Sequence, residues 1–385
     1  MVKDYAADEL VERAMRETGI DRFDTDTWRE GLGLYLADYN TNQRAEEFNE
    51  ANAAYVVKAI SDRLRVEQAI RQRPEVLDGR IERPLFVFGM PRTGTTLMNN
   101  LFAADPNRRS ALSWEIEMPV PPPTTATLKT DPRALAMLEA ERAALAANPG
   151  MGKYYRFSAI YPNECLFITQ GEFKSLLWEG RGKLPNYREW MFSDASNMIT
   201  SYEYHRRWLQ LHQVDAPGIW NLKLPSHSLW LEILLKVYPD ARLVWTHRDP
   251  FTATGSYCSL MRLSSNTAIG HADLDWIAEN YPWQIEQHYN RIMDTRARIG
   301  HDRIVDVHYA DLMRDPIAAV KQLYAKLGDA WTAEAEAGIQ AWVDDNPQGK
   351  FGKHEYKLAE FGLTPEMLRP RFERYFAEYE VEPEG

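Results

Sequence analysis

Leu85-Phe86-Val87-Phe88-Gly89-Met90-Pro91-Arg92-Thr93-Gly94-Thr95-Thr96 is the stretch on which the fold turns. Its first four residues form a short apolar run between turn-forming neighbours, the pattern of a strand buried on both faces of a parallel sheet. Two glycines and a proline break the run, and residues 97–104 read as a helix. A strand that turns through glycine into a helix presents backbone N–H groups at the helix start, where the aligned peptide dipoles favour an anion. Gly94 is where the main chain approaches such a ligand most closely.

Outward from this point the same texture recurs. Short apolar runs at 219–224, 242–246 and 303–307 each lead into a helical pattern, at 229–237, 252–263 and 316–327. Strands alternating with helices imply right-handed crossovers and a parallel sheet. The predicted fold is therefore α/β, a P-loop-like parallel sheet flanked by helices. Residues 1–80 carry apolar positions at helical spacing and no strand, with Pro74 near their end, and form an N-terminal helical cap. Residues 81–385 form the α/β domain. A helical insertion over about 105–215 holds the stiff run Val120-Pro121-Pro122-Pro123 and a strong helix former at 134–147. An insertion of that size reads as a substrate cover. No internal repeat interrupts the chain.

Gly89 and Gly94 stand at the spacing of a Walker loop, and Thr96 takes the place of its Ser/Thr. Thr95, however, occupies the position of the Walker lysine, and the cation is Arg92 within the loop. ATP-using enzymes rely on that lysine and on Mg²⁺ to handle the β/γ-phosphates. A group with less charge, such as a sulfuryl, is manageable with fixed cations and no metal, and the Thr96 hydroxyl then donates to a phosphate oxygen. A second anion clamp follows the 242–246 strand. Arg248 ends that strand, at the rim where ligands of such sheets collect, and Ser256 lies eight residues on. A guanidinium grips phosphate through two parallel hydrogen bonds. The plainer alternative is an Arg248–Asp249 ion pair.

Together the two clamps resemble the PAPS-dependent sulfotransferases. The loop Pro91-Arg92-Thr93-Gly94-Thr95-Thr96 looks like that family's 5′-phosphosulfate loop, and Arg248 with Ser256 resembles its 3′-phosphate site. Residues 307–316 are similar to its late strand-to-helix segment, and the layout, with Phe361-Gly362-Leu363, looks like the bacterial branch acting on small molecules. The likeness covers about residues 83–360. It implies PAPS (3′-phosphoadenosine-5′-phosphosulfate) as co-substrate, PAP (adenosine 3′,5′-bisphosphate) as product, no metal, and a small-molecule acceptor with a hydroxyl or amine. The chain departs from the animal cytosolic enzymes in having Arg92 for a loop lysine. It has Lys223-Leu224-Pro225-Ser226-His227 where they carry Lys-Thr-His. Gly349-Lys350-Phe351-Gly352-Lys353-His354 replaces their basic-glycine segment and is expected to close over the 3′-phosphate or adenine through Lys353.

Transfer to a hydroxyl requires a base for the acceptor proton and cations on the departing phosphate. Glu115 is the first candidate base, because sulfotransferases without the catalytic histidine resemble this chain in having a glutamate at about that distance after the loop; Glu117 is a minor alternative. Glu164 comes second: it opens an apolar run where partial burial lifts a carboxyl toward the working range, and a Glu-Cys pair occurs in the bacterial branch. His227 comes third, for its intrinsic pKa. Lys223 suits stabilisation of the sulfuryl group or the leaving phosphate.

The bulk properties set the outer limits. A net charge of −11 argues against a nucleic-acid binder, so the anion must be held by local cations. Cys165 and Cys258 are too few for a disulfide framework or a structural zinc site and read as small buried side chains. The start MVKDYAADEL lacks the pattern of a signal peptide, and no stretch approaches 18 apolar residues; a soluble, cytoplasmic protein is expected. An aromatic content of 12% reads mainly as core, with part left for an apolar acceptor pocket. The alternatives are a P-loop kinase using Mg-ATP and a nucleotide-binding protein without catalysis. The acceptor, a lipid, sterol, sugar or polyketide, and the oligomeric state stay open.

Overall fold

A computed structural model describes residues 2–147, 158–347 and 357–381. Five parallel strands form one sheet: β1 (Leu85–Phe88), β2 (Arg108–Arg109), β3 (Ile219–Lys223), β4 (Arg242–His247) and β5 (Ile304–His308), in the spatial order β2-β3-β1-β4-β5. The four strands expected from the sequence are present. β2 was not expected, since two arginines carry no apolar signal; it is held as a strand by pairing with Ile219 and Trp220.

β1 lies between β3 and β4, with Val87 opposite both Lys223 and Val244. The chain leaves β1 toward one edge and later crosses to the other. The crevice of the sheet therefore opens at the carboxyl end of β1. Its four residues divide by face as strand pleating requires. Phe86 and Phe88 join a large core, and Leu85 and Val87 join a smaller one with Met98, Leu101, Val244 and Val320.

The large core is shared with the N-terminal helices Ala7–Thr18, Arg29–Tyr39 and Glu46–Gln72, so cap and sheet pack as one body. Trp28, Trp114, Trp178, Trp220 and Trp245 are among the largest fully buried side chains, which accounts for much of the aromatic content. A buried ion cluster fastens the cap to the insertion: Arg63 reaches Glu172 at 2.5 Å and Glu67 at 2.8 Å. Among the described residues no helix is long and apolar enough to cross a membrane.

Several core groups titrate far from their ordinary range. Burial pushes His205, His212 and His288 each down to about 3, and pushes Glu179 up to about 7. The three imidazoles are neutral in the fold and gain a proton only on unfolding below about pH 6.5, so their contribution to stability is lost as pH falls. Glu179 works in the opposite direction between its ordinary value and about 7, and it offsets one of the three. His227, which burial also holds well below its ordinary range, acts with the three imidazoles, so stability is expected to fall by about 3–4 kcal/mol per pH unit between pH 6 and 5. Urea unfolding across that interval measures the slope. A flat profile would show that these imidazoles are not neutral in the folded protein.

Candidate active site

The turn after β1 is drawn tightly against β4. The Thr93 hydroxyl lies 2.6 Å from that of Thr246 and donates to the Met90 carbonyl at 2.6 Å. A Cβ on Gly89, at φ 148°, would come within 2.2 Å of the Thr246 Oγ1, so only glycine fits. Arg92 takes the left-handed conformation, φ 71°, as does Gly94 at 91°. The helix Thr95–Ala103 starts directly after Gly94, with no side chain capping it. Its first N–H groups, those of Thr95, Thr96 and Leu97, have no intrahelical acceptor and are the donors available to an anion.

Of the loop residues, Thr96 and Arg92 are exposed and Pro91 and Gly94 half-buried, whereas Thr93 and Thr95 are buried. Thr93 was expected among the donor-binding residues. Its hydroxyl is committed to Thr246 and Met90, and its N–H donates to the Met90 carbonyl at 3.2 Å, so it shapes the loop from within.

Arg248 stands at the carboxyl end of β4. Its Nη1 donates to the Arg92 carbonyl at 2.6 Å, and its guanidinium lies 4.0 Å from the ring centre of Tyr309. Tyr309 and Leu312 in turn abut Gly94. The two clamps read from sequence are therefore in direct contact. Asp249 caps the following helix Pro250–Ile269, accepting from the N–H groups of Phe251 and Thr252. Ser256 is buried on that helix, about two turns in.

Lys223 ends β3 on the opposite side of β1, and its ammonium pairs with the Glu164 carboxylate. The lysine is 4% exposed and the glutamate 23%. Two links keep this pair beside the loop: the Leu224 N–H donates to the Val87 carbonyl at 3.2 Å, and the Cys165 N–H donates to the Lys223 carbonyl at 3.0 Å. Cys165 and Cys258 are buried, and burial pushes both thiols up to about 12, which keeps them un-ionised.

Two expected bases lie elsewhere. Glu115 is fully buried, with both carboxylate oxygens bound by Arg109 and the Leu112 N–H donating to Oε2 at 3.0 Å. That is a structural ion pair at the start of a short helix, sealed from solvent. Glu117 is 53% exposed and pairs with Lys58 at 3.3 Å. His227 is buried in the core, its ring edge-on to Phe86 at 5.0 Å and its Nδ1 bound to the Tyr202 hydroxyl at 3.0 Å. Burial holds this imidazole well below its ordinary range, and Nε2 has no partner among the described residues. Lys353, with the rest of 349–354, lies outside the described residues. Two residues of the site were not read from sequence. Thr246 is hidden inside an apolar strand, and the position of Tyr309 directly after β5 was its only signal.

A P-loop-like parallel sheet with Arg92 and Arg248 joined at its carboxyl edge defines an α/β protein with an edge suited to anions. The model of the sulfotransferase family matches residues 84–333, and the chain belongs to that family. It is similar to the sulfotransferase STF9 from Mycobacterium avium, with 40% identity and a TM-score of 0.91 over 99% of this chain and 98% of that one. It is also similar to the sulfotransferase STF1 from Mycobacterium tuberculosis H37Rv, with 31% identity and a TM-score of 0.85 over 97% and 99% of the two chains. A further relative, the omega-hydroxy-beta-dihydromenaquinone-9 sulfotransferase Stf3 of Mycobacterium bovis, is 22% identical over 308 residues, 76% of this chain and 74% of its own. Membership of this family sets the kinase alternative aside.

The buried Arg109–Glu115 pair predicts a sharp contrast between neighbours. Glu115→Ala is expected to cost about 3–5 kcal/mol by stranding a buried guanidinium, and Glu117→Ala under about 0.5 kcal/mol. Urea denaturation of the two variants measures both. Equal costs would overturn the assignment of Glu115 to the fold.

Proposed function

We propose that this sulfotransferase takes its sulfuryl group from PAPS and passes it to a hydroxyl on an apolar small molecule. The observation that carries the reading is the contact between the clamps: Arg248 hydrogen-bonds to the main chain of Arg92, so groups suited to a 3′-phosphate and a 5′-phosphosulfate sit at one edge. The loop from Pro91 to Thr96 and the first turn of the following helix cradle the 5′ end. Arg248 and Ser256 hold the 3′-phosphate.

The Lys223–Glu164 pair supplies the chemistry. The acceptor oxygen attacks sulfur in line, its proton passes to the Glu164 carboxylate, and the bond between sulfur and the bridging oxygen breaks to release PAP. Lys223 and the helix N-terminus meet the charge that grows on that oxygen. Glu164 is preferred to Glu115 because it is partly exposed and bonded to Lys223, whereas Glu115 is sealed against Arg109. In the resting protein the two groups neutralise each other. Bound donor offers Lys223 a new anionic partner, which leaves the Glu164 carboxylate to the acceptor.

The acceptor class draws support from Stf3, whose name gives a hydroxylated menaquinone as its substrate. The half-buried Leu166 and Phe167, directly beyond Glu164 and Cys165, add apolar surface near the pair.

Calorimetry without metal tests the donor. PAP is expected to bind wild type and to lose about a hundredfold or more in affinity on Arg248→Ala, the loss of a charge-assisted bidentate contact. Failure of wild type to bind PAP would remove PAPS as donor. With labelled PAPS and a panel of apolar alcohols that includes a hydroxylated quinone, Glu164→Gln is expected to lower kcat about 10²–10⁴-fold and leave PAP affinity in place. An undiminished kcat would move the base elsewhere.

A further inference from the structure

The C-terminal helix Pro365–Glu378 lies beyond the residues that the family model matches, yet it packs on the segment that carries Arg248. Phe372 and Phe376 lie 6.3 and 5.5 Å from Phe251, at the start of the helix that bears Ser256. Between them Tyr375, fully buried, lies parallel to the His247 ring, 8° between planes and 5.8 Å between centres.

A polar chain runs through this contact, and the direction of each link follows from its neighbours. Arg296 grips both oxygens of Asp306, each at 2.6 Å. Burial pushes the Asp306 carboxyl up, but the hydrogen bonds and charges of His247 and Arg296 outweigh it and hold the group down at about 2, so it is ionised. An ionised carboxylate only accepts, so His247 donates to it from Nε2, at 2.8 Å. Burial keeps the imidazole below its ordinary range, against the pull of Asp306, so Nδ1 carries no proton. The Tyr375 hydroxyl, 3.0 Å from Nδ1, is therefore the donor there. His247 ends β4, and Arg248 follows it directly in the chain.

We propose that Tyr375 is a positioning residue for the donor's 3′-phosphate: its hydrogen bond to His247 fixes the end of β4, and so keeps the guanidinium of the next residue, Arg248, aimed between Arg92 and Tyr309. This rests on the donor-site reading above. It assigns the C-terminal helix, outside the family's matched segment, a part in binding the nucleotide. The ring of Tyr375 packs against Tyr289 at 4.1 Å, so removing the hydroxyl alone leaves the packing in place.

The test compares PAP with 5′-AMP, which lacks only the 3′-phosphate, by calorimetry on Tyr375→Phe and wild type. A general structural role would move both ligands together. Positioning of Arg248 is expected to weaken PAP about fivefold and leave 5′-AMP unmoved. In an Arg248→Ala background the same substitution is expected to have no further effect on PAP. If Tyr375→Phe does not fold, His247→Gln breaks the same link and carries the same expectation. Equal losses for both ligands, or none for either, would overturn the proposal. A wild type that binds the two ligands alike would instead overturn the 3′-phosphate reading on which it rests.

Discussion

The hydrogen bond between the Thr93 and Thr246 hydroxyls, 2.6 Å long and fully buried, is the constraint from which the geometry of the anion edge follows. It pins the turn after β1 to the adjacent strand, so the loop cannot open outward. The space it closes is small enough that a single Cβ on Gly89 would collide with Thr246. With the turn held there, Arg92 is driven into the left-handed region, which costs a non-glycine residue about 1–3 kcal/mol. The return on that strain is geometric: the Arg92 carbonyl meets the Arg248 guanidinium and joins the halves of the site.

A chain of net charge −11 does not attract an anion through its overall field. The cations are sorted instead by what surrounds them. Arg63, Arg109 and Arg296 are buried and gripped by carboxylates, and a pair of that kind serves the fold because breaking it strands a charge. Arg92 is exposed at the rim, and Arg248 lies there against the Arg92 carbonyl and the Tyr309 ring. Lys223 is intermediate, as buried as the structural group but paired with a partly exposed carboxylate. Arg296 also faces a partly exposed carboxylate, Asp306, but holds both its oxygens, whereas Lys223 has a single contact to Glu164 and so less to give up in changing partners.

The parts of the fold legible in sequence were those written as apolar periodicity. The runs at β1, β3 and β4 stood out because each is buried on both faces along almost its whole length, and that at β5 through its apolar Ile304, Val305 and Val307. β2 did not, because its strand character comes only from its pairing with β3. The loop was legible because glycine spacing and a following helix are local features. The surroundings of the candidate bases were not. A glutamate sealed against a buried arginine and one partly exposed beside a lysine look alike in sequence. What separates Glu115 from Glu164 is Arg109, six residues before Glu115, buried beneath Trp220. Likewise His227 has the composition of a base and the surroundings of a core residue, which only the packing of Phe86 and Tyr202 reveals.

The arrangement also bears on why the two ends of the chain are built into the same core. The N-terminal helices and the C-terminal helix both pack into the cluster that holds Phe86 and Phe88, on one face of β1. A site assembled from the ends of three parallel strands is only as exact as the relative height of those strands, and hydrogen bonds between strands at a four-residue β1 leave that height weakly held. Packing on one side face corrects it, because interiors at near-crystalline density transmit small displacements rather than absorb them. The helix Pro365–Glu378 adds a directional polar link to that packing, from Arg296 through Asp306 and His247, the last residue of β4, to Tyr375. Apolar contact alone would leave the helix able to slide. The Tyr375 hydroxyl, donating to Nδ1 of His247, opposes that slide.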